Sequence, residues 1–117
     1  MNGPSNQLNF DALVVGGGIA GGEAALNLAS TGYKVLLVEK ELSIGGKMIM
    51  LSKVFPTLDC AACITTPKVS EISRHPNITI FTSSEISSIN KIAENNFEAT
   101  VVRQPRYVVI EDCTACQ

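Results

Sequence analysis

The run Ala12-Leu13-Val14-Val15-Gly16-Gly17-Gly18-Ile19-Ala20-Gly21 decides how the rest of the chain is read. Four apolar residues without a polar break suit a strand buried on both faces, as in a parallel sheet. Three glycines then stop that strand at once. Beyond them, Ile19 to Ser30 carries small and apolar residues at helical spacing, with Gly21, Ala25, Leu28 and Ala29 on one face. Gly32 supplies the left-handed residue on which such a helix ends. Val35-Leu36-Leu37-Val38 reads as a second buried strand. Strand, glycine turn, helix and strand within about thirty residues make a βαβ unit with a right-handed crossover.

The glycine spacing has a chemical meaning in that setting. In Gly16-x-Gly18-x-x-Gly21, the first glycine permits the tight turn and the second leaves bare backbone for a pyrophosphate. The third lets helix and strand pack closely. Phosphate oxygens would meet the amides of the loop and first helical turn (Gly16, Gly17, Gly18, Ile19, Ala20 and Gly21), at the positive end of the helix. Glu39 closes the second strand, where a carboxylate accepts bonds from ribose hydroxyls and repels a 2′-phosphate. FAD or NAD is expected over NADP. Lys40 and Lys47 flank the phosphate region and either add positive charge or are simply solvated. Glu23, in the first helical turn, is expected to point into water.

Further out the pattern loosens between Ser43 and Phe55. Pro67 to Arg74 suits a short helix with Pro67 in its first position, ended by His75-Pro76-Asn77. Ile78-Thr79-Ile80-Phe81 reads as a third strand. Glu85 to Ile92 and Phe97 to Val102 alternate apolar with polar around Glu94-Asn95-Asn96, as an antiparallel hairpin does, and Tyr107-Val108-Val109-Ile110 makes a further strand. The expected architecture is α/β: a disordered tail over residues 1–10, then a partial Rossmann-like domain over 11–117 with a small antiparallel hairpin near the C-terminus. His75, the single histidine, reads as structural, bonding the last carbonyls of the helix.

Composition narrows the classes. With 117 residues the chain is one small domain at most, or part of a larger one, and 45% apolar against 17% charged residues suits a globular fold. A formal charge of −2 argues against a nucleic-acid binder. No apolar run reaches the roughly 18 residues of a membrane span, and the first residues show no export signal. The expected location is the cytoplasm. The four cysteines fall as two Cys-x-x-Cys pairs, Cys60/Cys63 and Cys113/Cys116. In a reducing compartment such pairs are metal ligands or redox dithiols more often than bridges. An iron–sulfur cluster takes four thiolates. A zinc site joining both pairs is also open, although zinc ribbons separate their pairs by only about 15–20 residues. Buried, inert thiols are the remaining reading.

Two longer patterns carry a resemblance. Glu39-Lys40-x-x-x-x-Gly45-Gly46-Lys47 resembles the two-dinucleotide-binding flavoproteins. With Phe55-Pro56-Thr57-x-Asp59-Cys60-x-x-Cys63-Ile64, Pro67-Lys68 and Arg74-His75-Pro76-Asn77-Ile78 added, the chain is similar to the heterodisulfide reductase A family, iron–sulfur flavoproteins of methanogens and related anaerobes. The resemblance implies the N-terminal part of an FAD domain, with Gly45, Gly46 and Lys47 bordering the flavin side and Ile86 meeting the adenine through its backbone. It implies a ferredoxin-like insertion opening at residues 113–117, in which Cys113 and Cys116 are the first two ligands of a 4Fe-4S cluster. Cys60 and Cys63 become either a redox dithiol or cluster ligands near the flavin. The whole enzyme would pass electrons between FAD and 4Fe-4S clusters, beside B and C subunits and a hydrogenase or formate dehydrogenase donor, while the isolated chain would be inactive. Two other readings stay open: a non-catalytic module for NAD or an adenine nucleotide, and a cysteine-based metal-binding or assembly module.

Overall fold

A computed structural model describes residues 8–47, 53–54 and 59–104. The elements run β1 (Ala12–Val15), α1 (Ile19–Ser30), β2 (Val35–Val38), β3 (Lys53–Val54), β4 (Asp59–Cys60), α2 (Ala61–Arg74), β5 (Ile78–Phe81), β6 (Ser84–Ala93) and β7 (Asn96–Arg103). The first three strands foreseen from sequence pair in parallel, in the order β1-β2-β5. Leu13 stands opposite Leu36, and Leu37 opposite Ile80. Parallel neighbours need a covering crossover, and α1 supplies it between β1 and β2.

Burial follows from that order. Central β2 is buried at all four positions, with Val35 and Leu37 fully inaccessible. The expectation that β1 is equally buried does not hold. It lies at the sheet edge among the described residues, its first three residues are half-buried, and Val15 is exposed. The core gathers Ala25, Leu26 and Ala29 of α1, Val35 and Leu37 of β2, Ile44, Ile72 of α2 and Ile78 of β5.

The two helices differ from expectation in instructive ways. α1 has the foreseen bounds, and Gly32 takes a positive φ of 98° just past its end. Its buried stripe is Gly22, Ala25, Leu26 and Ala29, one residue round from the expected face. Gly21 instead faces the turn, where a Cβ would strike the Gly16 carbonyl. α2 begins at Ala61, so Pro67 lies inside the helix and not at its start. A proline there removes one backbone bond, yet packing carries the helix through it: Thr65 and Ile72 are both buried. His75 closes the helix differently from expectation, its Nδ1 accepting the Asn77 amide at 3.2 Å while its own amide donates to Ile72 O at 3.3 Å.

β6 and β7 form the antiparallel hairpin, each one residue longer at both ends than read from sequence. Asn95 takes the positive φ (64°) that the tight connection needs. The hairpin base is fastened to the parallel sheet. The Arg103 guanidinium lies 4.2 Å over the Phe81 ring, and the Gln104 amide donates to Ser83 O at 2.8 Å. β3 and β4 pair as a two-residue antiparallel ladder that no pattern in the sequence announces. The strand expected at Tyr107–Ile110, most of the N-terminal tail, and Cys113 and Cys116 lie outside the described residues. No helix among the described residues is long and apolar enough to cross a membrane.

Candidate functional site

The parallel ladder runs past the strand ends and brings the predicted residues to one edge. The Gly16 amide donates to Val38 O, and the Glu39 amide to Phe81 O, both at 2.8 Å. The Ser84 amide returns the chain to Glu39 O at 3.0 Å. Val15, Gly16, Val38, Glu39, Lys40, Ser84, Glu85 and Ile86 therefore line one open crevice of about 440 Å³. It lies beyond the carboxyl ends of β1 and β2, where open α/β sheets bind their ligands. Its size is within the range of small-molecule sites. Glu39 and Ile86, far apart in sequence, meet here.

Glu39 is 8% exposed, and its carboxylate is engaged by backbone through both oxygens. Oε2 accepts the Gly17 amide at 2.7 Å, and Oε1 accepts the Glu41 amide at 3.0 Å. Each carboxylate oxygen has two lone pairs, so acceptor capacity remains for hydroxyl donors. The bond from the Gly17 amide ties the Glu39 carboxylate to the glycine turn.

Two glycine segments form the floor. Gly16 has φ 104°, open to glycine and strained for other residues. Gly45 donates to Gly17 O at 2.7 Å, and a Cβ on Gly46 would lie 2.9 Å from the Gly18 Cα. The predicted Gly45-Gly46 pair is thus packed directly on the first loop. Gly18 is the N-cap of α1 and offers no side-chain cap. The first intrahelical bond runs from Gly22 N to Gly18 O, leaving the amides of Ile19, Ala20 and Gly21 without helical acceptors. Free amides at a helix start, with the helix dipole behind them, suit an anion. Ile19, Ala20, Lys40 and Lys47 are exposed.

Glu23 is the fifth residue of α1, just past the first turn expected for it from sequence. It is half-exposed as expected, but paired: Lys68 Nζ of α2 is 2.6 Å from its Oε2. The hydrogen bond that Lys68 donates to Glu23, then the charge of Glu23, raises the Lys68 pKa above the usual 10.5. Behind the pair, Gly17, Gly18, Ile19, Gly22, Gly45, Thr65, Val69 and Ile72 enclose a second, smaller cleft of about 90 Å³. Thr65 has no signal in the sequence, because the helix that buries it is expected there to begin two residues later. Cys63 is exposed in the first turn of α2, and Cys60 ends β4. No group of three metal-ligating side chains occurs among the described residues.

A parallel βαβ sheet, a glycine turn with free helical amides and an acidic acceptor at the second strand define a dinucleotide-binding α/β domain. The chain belongs to the FAD dependent oxidoreductase family, whose pattern it matches over residues 11–99. It is similar to the A-type subunit of ferredoxin:CoB-CoM heterodisulfide reductase of Methanosarcina mazei, 44% identical over 116 residues, which is 99% of this chain and 14% of that protein. It is also similar to the A-type iron-sulfur subunit of CoB–CoM heterodisulfide reductase of Methanocaldococcus jannaschii, 47% identical over 110 residues, covering 94% of this chain and 17% of the relative. The chain thus spans about a sixth or less of the length of these relatives. Among solved structures, L-proline dehydrogenase from P. horikoshii superposes with a TM-score of 0.70 at 26% identity, over 80% of this chain and 19% of that one.

Proposed function

We propose that the chain is part of the FAD domain of an iron–sulfur oxidoreductase of the heterodisulfide reductase A type. The adenosine would lie in the Glu39 crevice, its ribose hydroxyls donating to the carboxylate and its ring beside the Ile86 backbone. The diphosphate would cross the glycine turn onto the amides of Ile19 and Ala20, with Lys40 and Lys47 adding positive charge at either side. The flavin half would continue past Gly45 and Gly46. The observation that carries this reading is the Glu39–Gly17 bond, which puts an acidic acceptor at the mouth of the phosphate turn. The orphan helical amides, the glycine floor and the remaining acceptor capacity of Glu39 all fit the group.

When bound, flavin supplies the redox chemistry, while the protein binds, orients and tunes it. In the longer protein we place Cys113 and Cys116 as two thiolate ligands of a 4Fe-4S cluster that exchanges electrons with the flavin. Cys60 and Cys63 would act nearby, as dithiol or further ligands. The partners would be an electron donor and the subunits that carry the disulfide-reducing site, in keeping with the ferredoxin and heterodisulfide in the relatives' names.

Titration of the chain with FAD, followed by quenching of flavin fluorescence and competed with ADP, NAD and NADP, tests the reading. FAD displaced by ADP but not by NADP supports it. Binding of NAD with no binding of FAD would favour a nucleotide module without flavin chemistry, and stoichiometric zinc with no nucleotide binding a metal module.

A further inference from the structure

Thr65 of α2 lines the smaller cleft. Thr65 is 4% exposed, and its Oγ1 is buried with no hydrogen-bond partner among the described residues. A threonine in a helix ordinarily returns its hydroxyl to the carbonyl three or four residues back. Here that option is not taken, and a buried hydroxyl left unpaired is costly. Such a group in a wall next to open volume points to a partner that arrives from outside the protein.

The surroundings say what kind of partner fits. Ile19, Val69 and Ile72 make the cleft apolar, and Gly17, Gly18, Gly22 and Gly45 bring bare backbone to its rim. At Gly22 a Cβ would lie 2.7 Å from the Ile72 Cδ1, so the glycine lets the Ile72 side chain of the cleft wall pack closely on α1. Ile19, the first residue of α1, and the paired Glu23 and Lys68 also line it. Gly17 and Gly18 border this cleft, and Gly16 borders the Glu39 crevice. An extended dinucleotide crossing the turn would leave one half on each side.

We infer that the Thr65 hydroxyl is a cofactor-contact group for the non-adenosine half of the dinucleotide, bonding a polar atom of the chain that follows the diphosphate. Thr65 thereby distinguishes FAD from adenine nucleotides that end at the phosphates. The inference rests on the proposed FAD site, and the two can be tested apart.

The experiment compares Thr65→Val, Thr65→Ser and Glu39→Gln in the full chain, with FAD and ADP as separate probes and thermal melting of the ligand-free protein as a third readout. Thr65→Val should weaken FAD about five-fold, the loss of one hydrogen bond, with ADP affinity unchanged. Its ligand-free melting temperature should stay level or rise, because an unpaired hydroxyl is removed. Thr65→Ser should keep FAD affinity, and Glu39→Gln should weaken both ligands. Equal FAD affinity in Thr65→Val and the unmodified chain overturns the role of Thr65 while leaving the FAD site standing. Equal weakening of FAD and ADP by Thr65→Val also overturns it. Failure of the unmodified chain to bind FAD overturns both.

Discussion

The Glu39 carboxylate holds the Gly17 amide at 2.7 Å across 22 positions of sequence. One side chain thereby links the end of β2 to the turn after β1. Glu39→Ala should cost adenosine binding roughly 1–3 kcal/mol, the range for a hydrogen bond to a charged group, and should also loosen the turn. Calorimetric titration with ADP reads the first effect, and faster amide exchange at Gly17 the second. ADP affinity equal to that of the unmodified chain would refute the ribose role.

Gly21 has no room for a side chain, since a Cβ would meet the Gly16 carbonyl. Gly21→Ala therefore forces the helix away from the turn. The expected loss is roughly 2–4 kcal/mol in urea unfolding. A loss below about 0.5 kcal/mol, typical of a surface change, would show that α1 does not sit as described.

Gly46 combines a positive φ of 61° with close approach to the Gly18 Cα. Gly46→Ala should cost about 1–2 kcal/mol of stability from its backbone conformation alone. It should also reduce FAD affinity more than Gly32→Ala, which shares a positive φ but has open space around it and lies away from both clefts. Parallel melts and FAD titrations of the two variants check this, and equal FAD affinity would contradict it.

Lys68 keeps its proton more tightly because Glu23 accepts its hydrogen bond. A raised lysine pKa stabilises the fold below the unfolded value of 10.5, and that contribution is lost as pH rises through the higher folded value. NMR titration of the Lys68 side chain should give a midpoint above 10.5 that falls toward it in Glu23→Gln. Both side chains are about half exposed, so added salt should weaken the effect.

What could be read from sequence follows the physics of each segment. Strands β1, β2 and β5 and helix α1 were legible because apolar runs, punctuating glycines and helical spacing all agree there. Gly16, Gly18, Gly21 and Glu39 stand out in the sequence as a set because a dinucleotide site would demand those residue types at that spacing. Glu39's bond to Gly17, by contrast, is a tertiary contact that no local pattern encodes. The start of α2 was missed because Pro67 looks like a first helical residue, whereas packing of Thr65 and Ile72 carries the helix through it. The edge position of β1 depends on strand order, which a four-residue apolar run does not reveal. Thr65 stayed hidden for the same reason as the start of α2, since its burial exists only once that helix lies against α1.

An acidic crevice and a small apolar cleft flank one glycine turn, and the proposed FAD would occupy both. Crystallography of the chain soaked with FAD tests it most directly. The predicted result places both ribose hydroxyls within hydrogen-bond distance of the Glu39 carboxylate, the diphosphate on the Ile19 and Ala20 amides, and the remainder beside Thr65. A cofactor bound elsewhere, or density for the adenosine with the ribose turned away from Glu39, would contradict it.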